Sequence, residues 1–378
     1  MKLLHTSDWH LGKSDGDTAL LEDQRHFIDE ICAIAEEQKV DAVIIAGDIY
    51  DRQIASSDAV GLYDYAMTKL CKELGKKVLI IAGNHDSAER LSSCADLLSA
   101  AGLYVSGALK REPDVVRFED VDVYLLPWFT EEKAKSVFPE KKEEIQSLVD
   151  AYRIVLDDLR SHFDPAKKHI VVSHAFIAGT ETSVSDRAAE IGFASQVSGA
   201  VFDGFDYVAL GHIHKPQDVS GKIRYSGTPM PYSFGREEKQ EKSVTVIDTA
   251  DFSHKIIPVS LLHKRTTLTG TFEELMAAPC SEDERKGFVK LVVKDCFVGL
   301  NMLSQLRSVY PLGVEIQGKT YDSGDATVTL TPEDLKRMES DPVEVFKQFC
   351  LDEMGEEADE HKIFLFSQAI KETEEEQA

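Results

Sequence analysis

The sequence predicts an α/β protein built on a parallel sheet, followed by a smaller α+β region and a helical segment. Three observations lead there. Five short runs rich in Val, Ile and Leu each close on a small residue and then a polar one. The gaps between the first three runs carry helical spacing, and near position 266 the pattern changes character.

In chain order the strands are read at Leu3 to Asp8 (LLHTSD), Val43 to Asp48 (VIIAGD), Leu79 to Asn84 (LIIAGN), Ile170 to His174 (IVVSH) and Val208 to His212 (VALGH). Helical spacing over Thr18 to Gln38 and Ser56 to Leu74 joins the first three into a βαβαβ unit with a parallel sheet. Strand patterns continue through VSGKIRYSG and SVTVIDT, so residues 1–265 are read as one domain. Residues 266–330, with TGTFEELMAAP, GFVKLVVKDC, GVEIQGKTYD and ATVTLT, are read as a second, small α+β domain. Residues 331–378 hold fifteen acidic and five basic residues, with Val345, Phe346, Phe349, Leu351, Ile363, Phe364 and Phe366 at roughly helical spacing. They are read as amphipathic helices whose apolar face either meets a partner or packs on its own domain.

Composition narrows the class. At 378 residues and 43% hydrophobic content the chain can bury a large core, and no apolar run is long enough to cross a bilayer. MKLLHTSDWH cannot supply the apolar centre of a signal peptide, and six scattered cysteines without a CxxC pair argue against a zinc ribbon or a disulfide framework. The expected compartment is a reducing cytoplasm. A net charge of -25 means that nucleic acid, if it is the substrate, is gripped with help from something else.

In open parallel sheets ligands bind beyond the carboxyl ends of the strands, which is where all five closing polar residues fall. Adding neighbours gives Asp8, His10, Asp48, Asn84, His174, His212 and His214. Residues two apart on an extended chain share a face, so Asp8 with His10, and His212 with His214, are expected to point together. The glycines before Asp48 and Asn84 leave room for a sharp turn and a close approach.

Carboxylate, amide and imidazole without thiolate suit Mn, Fe or Zn, and the oxygen content favours Mn. Seven ligands exceed one ion but fit two that share a carboxylate, with Asp48 the candidate bridge. Two such ions generate a hydroxide nucleophile at neutral pH and clamp the oxygens of an in-line displacement at phosphorus, which points to phosphoester hydrolysis. His85 is read as the group that stabilises the transition state and protonates the leaving oxygen. Asp86 is read as the group that orients it, or as a helix cap.

The blocks D-x-H (Asp8, His10), GD (Gly47, Asp48), GNHD (Gly83 to Asp86), His174 and GHxH (Gly211 to His214) together resemble the calcineurin-like metallophosphoesterase superfamily. HTSDWHLGK, AGDIYDR, AGNHDS, the SDR at Ser185 to Arg187, FDYVALGHIHKPQ and IRYSGTPMPYSFGREEK resemble its DNA-nuclease branch. The resemblance implies a four-layer α/β/β/α sandwich with a capping domain. It implies one ion on Asp8, His10, Asp48 and His214, and a second on Asp48, Asn84, His174 and His212. It further implies a Mn-dependent double-strand 3′ to 5′ exonuclease and single-strand or hairpin endonuclease in DNA repair, replication and recombination. Its partner would be a coiled-coil ABC-type ATPase docked by the C-terminal helices, two copies of each making a heterotetramer. Archaeal and eukaryotic members of that branch carry a His three residues after the bridging Asp, where this chain has Asp51, which leaves open whether Asp51 replaces a second proton-handling group.

Other signals are discounted. GVEIQGKT, Gly313 to Thr320, matches a P-loop in letters, but Val and Ile at strand spacing and a following turn deny it the helix a P-loop needs. Trp9 is assigned to the core, His5 and His169 to structure, and Lys13 and Arg52 to surface charge or phosphate contact. The alternative enzyme reading is a phosphatase of the same superfamily acting on a small molecule or phosphoprotein. A non-catalytic scaffold has no need of so many metal donors.

Overall fold

The computed structural model describes residues 1–16, 18–183, 196–296, 298 and 300–318, together with 343, 346, 347, 358, 359 and 361–368. The chain divides into two compact units, residues 1–319 and 320–378.

The principal elements of the larger unit follow one another as β1 (Lys2–Thr6), α1 (Leu21–Glu37), β2 (Ala42–Ala46), α2 (Ser57–Met67), β3 (Lys77–Ile81), β4 (Leu103–Ser106), β5 (Asp114–Arg117), β6 (Val121–Leu126), α3 (Leu148–Ser161) and β7 (Lys168–His174). Then come β8 (Tyr207–Gly211), β9 (Gln217–Ser220), β10 (Ile223–Tyr225), β11 (Ser243–Asp248), β12 (His254–Pro258), β13 (Arg265–Gly270), β14 (Phe288–Val293), α4 (Leu300–Val309) and β15 (Gly313–Gln317).

The five runs read from the sequence are all strands, but they belong to two sheets. One sheet has the order β12-β11-β1-β2-β3-β4 and the other β9-β10-β8-β7-β6-β5. Strands β1 to β4 run parallel, as do β6, β7, β8 and β10. The period of two in each strand explains the layering. In β2, Val43 and Ile45 face a cluster with Phe27, Ile31 and Ala35 of α1 and Leu62 of α2. Ala42, Ile44 and Ala46 face the second sheet, meeting Val123, Val172 and Ala209. Beyond that sheet, Tyr152, Val155 and Leu156 of α3 cover Tyr124, Val171 and Val208. The result is a four-layer α/β/β/α sandwich.

Helices α2 and α3 each begin on a capping serine. Ser56 caps α2 by accepting from the amide of Ala59, and Ser147 caps α3 through the amide of Asp150. Past Met67 the α2 helix widens into a π turn over Thr68–Glu73.

Strands β13, β14 and β15 form a parallel three-stranded sheet with its own apolar cluster of Leu275, Val289, Leu291, Val293, Leu306 and Tyr310. The P-loop-like letters beginning at Gly313 are thus strand β15, and Gly318 approaches the amide of Val298. Arg265, at the start of β13, is buried and ties this sheet back to the sandwich by donating to the carbonyl of Pro231 at 2.7 Å and pairing with Asp15.

In the second unit residues 361–368 are helical, with Phe364 and Leu365 exposed, and the rings of Phe346 and Phe366 stack at 4.2 Å. Val345, Phe349 and Leu351, the SDR block at Ser185 to Arg187, and the strand read at ATVTLT lie outside the described residues. Among the described residues no helix is long and apolar enough to cross a membrane.

Candidate metal centre

Five strand ends converge at one edge of the sandwich. Asp8 and His10 follow β1, Asp48 follows β2, Asn84 follows β3, His174 closes β7, and His212 and His214 follow β8. The convergence is tight because glycine lets the strand ends close on one another, both within one sheet and between the two. A Cβ on Gly47 would lie 2.4 Å from His174 Nδ1, and one on Gly83 would lie 2.1 Å from Asp48 Oδ1. The bulky neighbours anticipated at these glycines are the site's own side chains.

The backbone there is not extended, contrary to the expectation from D-x-H spacing. Asp8, His10 and Asp48 have φ of 53°, 43° and 50°, and His212 has 103°. These four are half of the eight non-glycine residues with positive φ among those described, and such conformations persist where surrounding structure holds them. Here the holding bonds run from the amide of Asp8 to the carbonyl of Gly47, and from the amide of His10 to that of Asp48, each 3.0 Å. The left-handed turns bring Asp8 and His10 to the same side and send Trp9 into the core, where its indole donates to Thr6 Oγ1.

The side chains meet as two adjoining groups. His10 Nε2 and His214 Nε2 lie 3.2 Å apart, with Asp8 beside them. His174 Nε2 lies 3.0 Å from Asn84 Oδ1, 3.3 Å from His212 Nδ1 and 3.4 Å from Asp48 Oδ2. Asp48 Oδ2 is also 3.8 Å from His10 Nε2, so it stands between the groups. All seven residues read from the sequence are therefore in one place.

The chemistry of these atoms fits a cation. His174 Nδ1 donates to the carbonyl of Ala46 at 2.9 Å, which leaves a lone pair on the Nε2 of the neutral ring. That lone pair faces a carboxylate oxygen, an amide oxygen and another imidazole nitrogen, a gathering of acceptors that only a positive charge reconciles. Among the described residues, neither Asp8 nor Asp48 has a Lys or Arg partner, and both are buried. Buried carboxylates without a counter-charge recruit one. Left to protons, burial pushes Asp8 up to about 8. At His174 burial opposes charge, yet the Asp48 carboxylate prevails and holds the ring at about 9. His10, His212 and His214 are lowered, chiefly by burial, and so keep neutral rings with free lone pairs.

His85 lies at the rim, half-buried, its ring 4.9 Å from that of His10. Its amide donates to Asp48 Oδ1 at 2.9 Å, which ties it to the cluster. The orienting role read for Asp86 is not what the geometry gives. The Asp86 carboxylate accepts from the amides of Gly83, Ile49 and Tyr50 at 2.9, 3.1 and 2.9 Å, and it caps no helix. It pins the loop after β2 to the loop after β3, because three converging amides offer a carboxylate more than one ring nitrogen can. The group that receives His85 Nδ1 is the main-chain oxygen of Asp51, at 2.9 Å.

The sequence reading assigned no role to Tyr232, Glu237 or Lys242. Tyr232 packs edge-on against the rings of His10 and His214, and its hydroxyl donates to the carbonyl of Trp9. Lys13, left open between surface and phosphate, is bonded to Asp51 at 2.7 Å. The aromatic-and-charge run YSFGREEK was the available signal for Tyr232 and Glu237, though nothing in it marks which charge is buried.

Comparison with known proteins agrees with this centre. The sequence pattern of the calcineurin-like phosphoesterases matches residues 1–216. The chain is 28% identical over 377 residues to a Staphylococcus epidermidis protein described as the D subunit of nuclease SbcCD, covering 94% of this chain and all of that one. Among solved structures it is similar, at a TM-score of 0.40 in both cases, to GAP50, the anchor in the inner membrane complex of Plasmodium (10% identity, 85% of this chain, 98% of the other), and to TT1561 of Thermus thermophilus (12% identity, 68% and 99%). The buried cluster of Asp and His is a divalent-metal centre, and the chain belongs to the calcineurin-like phosphoesterase family.

Proposed function

We propose that this protein is the DNA nuclease subunit of an SbcCD-type complex, cleaving phosphodiesters with two divalent ions, Mn2+ by preference. The observation that carries the nuclease reading is the reach of the likeness to the staphylococcal nuclease subunit. It covers 94% of this chain, and so extends well beyond residues 1–265 into regions that a phosphatase of small substrates does not need. The substrate is duplex ends and hairpins of DNA, the partner is an SbcC-like ATPase, and the compartment is the cytoplasm.

When bound, the ions supply a hydroxide nucleophile and neutralise charge at phosphorus. Asp8, His10, Asp48 and His214 hold one, and Asp48, Asn84, His174 and His212 the other. His85 holds a proton at Nδ1 toward Asp51 and presents Nε2 to the reacting phosphate, where it stabilises the extra negative charge and serves the leaving oxygen. Asp86 keeps the two loops that carry Asp48 and His85 in register. Residues 266–330 act as a cap, and the apolar face at Phe346 and Phe364 serves the ATPase.

A cleft of about 560 Å³ lies beside Tyr232, lined also by Asp15, Phe234, Arg265, Lys290 and Glu315. Its cations are each paired, Arg265 with Asp15 and Lys290 with Glu315. It is therefore no strong electropositive grip, in keeping with a chain of net charge -25 that borrows affinity from a partner. The test is Mn2+-dependent cleavage of end-labelled duplex and hairpin DNA, with and without the co-purified ATPase and ATP, beside hydrolysis of p-nitrophenyl phosphate. Cleavage of DNA supports the proposal. Rapid turnover of the small ester with intact DNA overturns it in favour of the phosphatase reading.

A further inference from the structure

Behind His214, on the side away from the donor cluster, two charges lie wholly out of solvent. The side chains of Glu237 and Lys242 are 0% exposed and meet at 2.9 Å. The Lys242 ammonium also reaches Thr228 Oγ1 at 2.9 Å, Gln240 Oε1 at 3.2 Å and the main-chain oxygen of His214 at 3.1 Å. Glu237 Oε2 accepts from the hydroxyl of Ser233 at 2.6 Å. Its Oε1 stands 3.7 Å from His214 Nδ1, the ring nitrogen opposite the one that faces His10.

Stability alone does not account for this pair, since well-packed apolar side chains serve a core as well as a buried ion pair does. Its position does. A metal-binding imidazole commonly gives its second N–H to a carboxylate, which fixes the tautomer and strengthens the ring as a donor. A carboxylate with its own lysine also lies near the outer nitrogen of His10: Asp51 Oδ1 is 3.7 Å from His10 Nδ1, beyond hydrogen-bond reach, and Lys13 is bonded to that carboxylate. By contrast, the outer nitrogen of His174 meets only the neutral carbonyl of Ala46.

We propose that Glu237 and Lys242 are positioning residues for His214. The nearby negative charge of the carboxylate, 3.7 Å from Nδ1, favours the tautomer with its proton on Nδ1, so the Nε2 lone pair faces the cation, while the lysine locks both the carboxylate and the main chain of His214. The inference rests on the reading of His214 as a metal ligand.

The test is titration of the full chain with Mn2+ by calorimetry and electron paramagnetic resonance, for wild type, Glu237→Gln and the double variant Glu237→Gln/Lys242→Met. The double variant removes both charges together and so avoids a lone buried one. Melting in EDTA checks folding. A folded variant should bind one ion as wild type does and the other about 10- to 100-fold more weakly, with loss of the coupled two-ion signal. A ¹⁵N-imidazole spectrum of the Zn2+-loaded wild type, needing no variant, should show the proton of His214 on Nδ1. A wild type that takes two ions while both folded variants match it, or a proton on Nε2, overturns the proposal. A wild type that takes up no ion at His214 overturns the metal-centre assignment and this inference with it.

Discussion

His85 Nδ1 points at the main-chain oxygen of Asp51, 2.9 Å away, while the adjacent Asp86 carboxylate turns to three backbone amides. Neighbours in sequence thus face different ways, His85 toward the rim of the cluster, where we propose it meets the phosphate, and Asp86 into the scaffold beneath it.

Replacing His85 with Ala should lower kcat on DNA by about 10²- to 10⁴-fold, the range for a positioned proton donor, with both Mn2+ ions still bound. Steady-state rates and Mn2+ titration check this together. Full activity in the variant removes the assigned role.

Asp86→Asn should behave otherwise. Charge-assisted bonds to backbone amides contribute about 1.5–3 kcal/mol each, and an amide in that place keeps part of them. Denaturant unfolding in EDTA should show a loss on the order of 2 kcal/mol, which His85→Ala does not share. Equal stability of the two variants contradicts the division of labour.

Two glycines provide a matched pair. A Cβ at Gly83 would sit 2.1 Å from Asp48 Oδ1, whereas at Gly221 nothing lies within 4 Å. Gly83→Ala should cost about 1–3 kcal/mol and weaken Mn2+ binding, while Gly221→Ala should be neutral or slightly stabilising. Melting curves with and without Mn2+ decide the point, and a Gly83→Ala protein with unaltered metal affinity contradicts the close packing at Asp48.

Removal of metal should be read in stability as well as rate. A ligand held at 100 times its Kd stabilises the folded state by about 2.7 kcal/mol. Adding EDTA should therefore abolish cleavage and lower the melting temperature, and Mn2+ should restore both. An unmoved melting temperature argues against ions bound to the native state.

The strand ends were legible because β-branched runs closing on Gly or Ser and a polar residue leave little else to read, and five of the seven candidate ligands close those runs, with His10 and His214 two residues further on. The division into two sheets was not, since parallel strands in either sheet carry the same apolar letters. Strand β6, VDVYLL, escaped notice because it ends on Pro127 and Trp128 without a polar signal. The left-handed turns at Asp8 and His10 were hidden because D-x-H spacing looks alike on extended and turned backbone. Asp86 was misassigned because adjacency along the chain does not say which way a carboxylate faces. Glu237, inside REEKQEK, reads as solvated until the fold shows it enclosed with Lys242.

The most direct test is anomalous scattering from crystals of the full chain soaked in Mn2+. The account predicts two peaks about 3.5–4 Å apart, with an Asp48 oxygen between them and His214 and His212 on different ions. A single peak, or Asp48 turned away from both, contradicts it.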